Sequence, residues 1–523
     1  MTLTRYAPNG AVAAANHLAA MAGARILERG GNAADAAVAT AAAMAVTAPH
    51  MCGLGGDMFA LVASPGEEPA ALNGSGRAGS GADAARLRAA GATRMPFQGD
   101  IRSVTLPGFV DGLTALHARF GSRPLAELLE PARLLAAHGF PVSPTLAESS
   151  ADLSAAERSA AFGGSAPLAA GSRLVLPRVA DTLAAIAARG RDGFYLGQAG
   201  DDLLTLGAGE FSAADLTSPG ADWVRPLRLR AFGYDLWSMP PNSQGYLALS
   251  GAWIAAQAGL PSDPAAELWA FLLVEAARQA AYDRPAVLHE HADGEALLAS
   301  ERLGPRAAAV RDRASRGLAD VYREGDTTYL CTVDADRRAV SLIMSNAADF
   351  GSHLVLPGTG IFLHNRGMGF SLRPGHPAEY APGRRPPHTL TPMVVTTADG
   401  ALDTVLGTMG ADAQPQILLQ LLTRMLMLGQ PPGEAIGAPR WILSREPTTD
   451  FDIWQQDEPP LVRLEHGTPA GWAPGLRGRG YQVRQSEPGD QSFGHAQAIR
   501  VTSDGMLAGA ADPRSGDGAI IGL

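Results

Sequence analysis

The segment Gly325-Asp326-Thr327-Thr328-Tyr329-Leu330-Cys331-Thr332-Val333-Asp334 constrains this chain most, because it runs from a turn into an alternating strand whose first residue is a threonine. Thr327 has two readings. It can be an ordinary β-branched strand starter, or the residue at which a chain cuts its own backbone and frees a nucleophile. A hydroxyl cannot ionise near neutrality and needs a base within hydrogen-bond reach. A newly exposed α-amine, with a pKa of about 7.7–8.0, supplies that base on the same residue. In that scheme Thr327 Oγ1 attacks the carbonyl of Asp326, the peptide becomes an ester, and water releases a new N-terminus.

Composition narrows the classes. At 523 residues the chain is too long for one ordinary domain and suits two to four domains or one large fused core. Its 42 basic and 52 acidic side chains give a net charge of −10 with no basic stripe, so a nucleic-acid partner is not expected. All 42 basic side chains are arginine. The absence of lysine excludes a Walker P-loop, a Schiff-base lysine with its pyridoxal chemistry, and a Ser-Lys dyad. Cys52 and Cys331 lie far apart among apolar neighbours and read as buried free thiols, implying neither a metal nor a disulfide scaffold. Met1 to Gly10 lacks the charged and apolar regions of a secretory signal. The longest apolar stretch, Ala33 to Ala48, contains Asp35 and suits a buried helix, not a membrane span. A cytoplasmic protein without a membrane partner is the expectation.

Two Ala-rich helical stretches occupy the first 50 residues, split at Gly30-Gly31-Asn32, and a strand follows over Met58 to Ala63. Helical patterns dominate from Pro107 to Leu203 and from Leu247 to Tyr322. After Thr327 alternating strands take over: Tyr329–Val333, Ala339–Met344, Gly360–His364, Leu390–Thr396, Thr404–Leu406 and Ala496–Val501, interrupted by a helix over Gln416–Leu428. No Pro/Ser/Gly linker separates the two parts, which predicts a shared core. No internal repeat is visible.

Three further motifs have ordinary alternatives. Gly74-Ser-Gly76-Arg-Ala-Gly79 matches G-x-G-x-x-G, but the strand expected to follow, Thr93 to Asp100, is a poor carrier of a ribose acid. His289-Glu290-His291 could ligate a metal, yet no partner cluster accompanies it and a solvated loop explains it. Gly407-Thr-Met-Gly410-Ala411-Asp412 joins a strand to a helix, and its amides suit either an oxyanion cradle or a plain turn.

Eight segments then appear in one order: Gly30–Val38, Pro49–Asp57, Ser103–Gly108, Pro240–Gly245, Asp326–Tyr329, Ser341–Asn346, Gly383–Pro392 and Asp512–Ser515. Together they resemble the γ-glutamyltransferase (glutathione hydrolase) family over essentially the whole chain. The resemblance implies an N-terminal-nucleophile hydrolase with an α+β, four-layer αββα core. It would be made as a precursor cut between Asp326 and Thr327 into a large subunit, 1–326, and a small one, 327–523. These would stay associated as a heterodimer, alone or paired.

In that frame Thr327 is the nucleophile, Ser345 the second hydroxyl that orients it, and the amides of Gly410 and Ala411 the oxyanion hole, since any residue but proline supplies an amide. Arg77 would hold the acyl group's carboxylate, with Asn346, Arg366, His388 and Thr389 completing the substrate site. No metal and no cofactor is implied. The substrate would be a small-molecule amide.

Departures bear on which amide. Gly369 replaces the family's amine-binding aspartate, Arg366 a nearby glutamine, and His388-Thr389 a pair of serines. The Ser371 to Pro386 loop is short, as in a lid-less branch with glutathione-hydrolase-like, cephalosporin-acylase-like and oxamate-amidohydrolase-like members. The expectation is an amidohydrolase for γ-glutamyl or similar carboxylate-bearing acyl amides. An acylase for a non-amino acyl group is the alternative, unless an acid such as Asp349 substitutes for the missing one. A non-catalytic binding descendant and a dinucleotide oxidoreductase are the readings from other classes.

Overall fold

The computed structural model describes residues 3–315, 326–444 and 461–523. Gly325 and Tyr322, at the ends of two segments read above, lie outside these. Two seven-stranded sheets carry the architecture, and every neighbouring pair within them is antiparallel. The first runs Ala519–Gly522, Ala11–Ala14, Asp326–Val333, Ala339–Ala347, Asp57–Ala63, Ala70–Gly74, Asp222–Val224. The second runs Arg5–Ala7, Leu507–Ala511, Ala496–Val501, Leu402–Thr408, Met393–Thr396, Tyr234–Ser238, Leu227–Ala231. Both sheets mix strands from before and after residue 326, so neither part of the chain completes a sheet alone.

Strand alternation builds the layers. Tyr329, Cys331 and Val333 enter an apolar layer between the sheets with Phe59, Ile343, Val394 and Val405. Leu330, Val340, Leu342 and Met344 face a helical layer on one side. Leu236, Met393, Val395 and Leu406 face the helices Gly245–Gln257, Glu267–Ala281 and Gln414–Leu422 on the other. Helix, sheet, sheet, helix is the four-layer α+β order that the resemblance implies. Cys52 and Cys331 are buried and free.

The Ala-rich stretch is the helix Ala33–Thr47, with all fifteen residues buried. Apolar side chains on every face leave it no solvent side. Its N-terminus carries a capping box: Asn32 accepts from Asp35 N–H while the Asp35 carboxylate accepts from Asn32 N–H at 3.0 Å. Thr332 Oγ1 donates to Ala33 O at 2.7 Å, and Ala33 N–H donates to Asp334 at 2.9 Å. The helix is thereby locked to the strand that Thr327 opens.

Several expectations are corrected. An all-antiparallel pair of sheets cannot be a dinucleotide-binding fold, whose phosphate loop joins parallel strands through a crossover helix. The glycines of Gly74 to Gly79 serve close packing instead: a Cβ on Gly76 would sit 1.7 Å from Leu106 O. Residues 360–364 form only a bridge, Val355 to Phe362, because Gly360 turns the chain at φ 73°. The strand expected from Leu390 begins at Met393, after Pro392, which has no N–H to donate. The strands Leu227–Ala231 and Tyr234–Ser238 were unforeseen. No helix among the described residues is long and apolar enough to cross a membrane.

Candidate active site

Thr327 sits where the register between the strands Asp326–Val333 and Ala339–Ala347 shifts: Asp326 pairs with Ala347, but Thr328 pairs with Met344. The extra residue is a bulge, a device that re-aims side chains. Here it sets the Thr327 and Ser345 hydroxyls 3.1 Å apart, both buried. Ser345 Oγ also accepts from Ala347 N–H at 2.8 Å. Ser345 pairs with Asp57 on its other side, and Gly56 passes so close that a Cβ there would lie 2.6 Å from Ser345 O.

Asp57 organises the floor. Its carboxylate accepts from Gly76 N–H at 2.9 Å, Gly108 N–H at 3.1 Å and His388 Nε2 at 3.2 Å. Burial pushes its pKa up, but His364, His388 and the Gly76 N–H together bring it to about 2. His388 accepts from Leu390 N–H on Nδ1 and packs edge-on against Phe59, so both ring nitrogens are engaged within the protein. Burial, then Arg366, lowers His388 to about 3, against the pull of Asp57. Near pH 7 that ring is neutral and donates from Nε2 to the Asp57 carboxylate. Arg366 is fully buried, and burial lowers it to about 10 while Asp57 and Asp412 oppose the loss of charge.

The Gly410–Ala411 turn is held from below. Gln244 Nε2 donates to Thr389 O and to Ala411 O, each at 2.9 Å, and its carbonyl accepts from Arg284 at 3.0 Å. An Arg284 nitrogen lies 2.7 Å from Asp412 Oδ1, at an angle that makes it an ion pair and not a hydrogen bond. Both turn residues have positive φ, 131° at Gly410 and 43° at Ala411, a strained choice for alanine. Among the described residues neither amide N–H has an acceptor, as a cradle for developing negative charge requires.

The remaining expected residues divide. Asn346 donates to Pro49 O at 3.1 Å, and its carbonyl oxygen is buried with no partner among the described residues. Thr389 Oγ1 is likewise buried and unpartnered there. Arg77 is half-exposed and committed elsewhere, to Glu290, Gly383 O at 3.0 Å and Asp222 at 3.2 Å. Glu290 of the His-Glu-His motif thus bonds Arg77 and the Arg385 N–H. Gly369 has no room for a side chain: a Cβ would lie 2.8 Å from Pro387 O. A cavity of about 590 Å³ opens at Gly410, with His50, Glu148, Asp152 and Asp349 among its walls. Asp57, Gln244 and His50 lie inside the ordered motifs, yet no linear spacing ties them to Thr327.

Fold and comparisons first define a class, an enzyme of the N-terminal-nucleophile hydrolase type. The crystal structure of a cephalosporin acylase from Bacillus halodurans is 32% identical and superposes with a TM-score of 0.89, covering 100% of this chain and 97% of that one. A glutathione hydrolase-like YwrD proenzyme of Bacillus subtilis is 36% identical, over 98% of both chains. An oxamate amidohydrolase proenzyme of Klebsiella pneumoniae is 35% identical, over the full length of both. The gamma-glutamyltranspeptidase profile matches residues 19–522, and the chain belongs to that family.

Proposed function

We propose that the chain cuts itself between Asp326 and Thr327 and then hydrolyses amides through an acyl-enzyme on Thr327. The observation that carries this reading is the buried Thr327–Ser345 hydroxyl pair at 3.1 Å, at a strand start in a family of amidohydrolases and transpeptidases. The proenzyme names of two relatives support a cut precursor.

In the mature enzyme, residues 1–326 and 327–523, the Thr327 α-amine takes the Oγ1 proton as Oγ1 attacks the substrate carbonyl. Negative charge gathers on the carbonyl oxygen facing the Gly410 and Ala411 amides. Collapse breaks the C–N bond, and the ammonium returns its proton to the departing nitrogen. Water, activated by the same amine, hydrolyses the ester. Ser345 orients Oγ1. Asn346 and Thr389 offer their open hydrogen-bonding atoms to the acyl group, with Arg366 and His388 behind them. Arg77, paired at the rim, contributes less.

The acyl group is carboxylate-bearing, as in γ-glutamyl amides. One observation favours the second reading, a non-amino acyl group such as glutaryl: Gly369 leaves no space for an acid to hold an α-ammonium, and a buried ammonium without a partner is costly. The same lack of space means Gly369→Asp perturbs the Pro387 backbone and cannot isolate charge recognition. Intact mass and N-terminal sequencing should find Thr327 at the start of the smaller fragment. Matched γ-glutamyl and glutaryl p-nitroanilides then decide the acyl class. A fully active, uncut chain would overturn the whole reading.

A further inference from the structure

The proposed oxyanion hole consists of two amides, and an amide is aimed through the carbonyl of its own peptide unit. That unit is planar and trans, so its C=O and N–H point in opposite directions and fixing one fixes the other. The Gly410 N–H is therefore set by Met409 O, and the Ala411 N–H by Gly410 O. The carbonyls of the turn are held in different ways. Gly410 O accepts from Ala413 N–H at 2.7 Å. Ala411 O accepts from Gln414 N–H as well as from Gln244. The peptide before the turn is tied by Met409 N–H, which donates to His495 O at 3.3 Å. Met409 O, by contrast, has no backbone donor among the described residues. Its partner is the side-chain hydroxyl of Thr408, at 2.7 Å.

Thr408 is the last residue of the strand Leu402–Thr408 and is fully buried. Gly494 closes over its bond: a Cβ there would lie 2.6 Å from Thr408 Oγ1 and 2.7 Å from Met409 O. Gly494 also takes φ 85°, in the left-handed region that glycine tolerates. The hydroxyl and the carbonyl it holds are thus packed against bare backbone. Beyond them Gly410 and Ala411 both have positive φ, a strained arrangement that persists only while its surroundings enforce it.

We infer that Thr408 is a positioning residue whose hydroxyl, by holding Met409 O, aims the Gly410 N–H at the oxyanion of the acyl-transfer intermediate. The inference rests on the acyl-enzyme reading proposed above. Thr408 gives up no proton and touches no reacting atom; it acts through the Met409–Gly410 peptide. The other peptides of the turn keep a backbone partner whatever the side chains, so this one amide depends on a side chain. Losing an oxyanion donor costs about 10²–10³-fold in turnover, and misplacing a group by about 1 Å can cost on the order of 10²-fold.

Thr408→Val removes the hydroxyl at nearly constant volume, Thr408→Ala removes it without added bulk, and Thr408→Ser keeps it. Each cut enzyme is assayed with its preferred acyl p-nitroanilide and with a boronic acid carrying the same acyl chain, which forms a tetrahedral adduct on a nucleophilic hydroxyl and presents an oxygen to the hole. Thr408→Val and Thr408→Ala should lower kcat by about 10²-fold with KM changed less than about threefold. The boronic acid, as a mimic of the intermediate, should weaken by about the same factor as kcat, and Thr408→Ser should return kcat to within about fivefold of the wild type. A Thr408→Val kcat within about threefold of the wild type overturns the inference. So does a Thr408→Ser no better than Thr408→Val, or failure of both Val and Ala variants to fold and cut, since aiming one amide in the mature enzyme requires neither. A wild type that releases p-nitroaniline yet ignores the boronic acid sinks the acyl-enzyme reading and this inference with it. A boronic acid bound tightly and equally by the wild type and Thr408→Val sinks the inference alone.

Discussion

Two charged regions of this enzyme are built on opposite terms. Around Asp57 every charge is out of water and answered: three donors converge on the carboxylate, Arg366 interacts electrostatically with both Asp57 and Asp412, and Arg284 pairs with Asp412 while bonding Gln244. Along Pro144–Asp152 the exposed carboxylates of Glu148 and Asp152 border a cavity that no arginine lines among the described residues. Buried charge is tolerated only when compensated within the protein, so the first region fixes geometry. The second leaves its charges to water. The compensated region is thus the rigid one, and it underlies the proposed reacting centre.

The largest test of the rigid region is Thr327→Ala, which should leave one uncut chain and lower turnover by at least about 10⁴-fold. A gel and an amide assay suffice; retained activity would remove Thr327 from the chemistry. Asp57→Asn comes next. It keeps the shape but discards the charge on which Gly76, Gly108 and His388 converge, and should reduce turnover by roughly 10²–10³-fold and stability by about 3 kcal/mol. An unchanged melting temperature would show that the cluster is not the keystone described.

Ser345→Ala should slow cutting and turnover by on the order of 10²-fold with the melting temperature intact, and Ser345→Thr should restore much of the loss. Wild-type kinetics in Ser345→Ala would exclude an orienting role.

Acid should loosen both regions. The buried rings of His50 and His388 lie near pKa 3 and that of His495 near 4, against 6.5 when unfolded. A base lowered by folding takes up protons first in the unfolded state. Stability is therefore full above about pH 6.5 and falls from there toward pH 4, on the order of 2 kcal/mol per ring at pH 5. Melting curves from pH 7 to 4 measure this, and His50→Gln should flatten the slope by about one proton. A melting temperature flat to pH 5 would mean the rings are not buried as described. Smallest of all, Arg77→Gln should change KM less than about threefold, because the arginine is half-exposed and bound to Glu290 and Asp222. A large rise in KM would return Arg77 to the acyl carboxylate.

Legibility followed the range of each interaction. The helix Ala33–Thr47 and the strand from Thr327 were plain in the sequence because their signals are local: side-chain period, the break at Gly30-Gly31-Asn32, β-branching. The strands Leu227–Ala231 and Tyr234–Ser238 were not: they pair with each other as a hairpin, but what buries it is the strand Met393–Thr396, more than a hundred residues on. Arg77 is an attractive carboxylate ligand in one dimension, and only tertiary contacts reveal its guanidinium already engaged. Gly369 read as an absent acid; in space it is also a position that a backbone carbonyl closes to any side chain.

By itself, then, the sequence determined the family-wide order of motifs, the absence of lysine chemistry and the threonine at the start of a strand, because each is a property of neighbours along the chain. Only the tertiary structure decided that a bulge brings Ser345 to 3.1 Å from that threonine, that Asp57 and Gln244 support the site from remote segments, and that an acid-faced helix borders Gly410. These depend on antiparallel pairing and layer packing between segments from 18 to 167 residues apart, and linear spacing carries no record of which groups burial will force to satisfy one another.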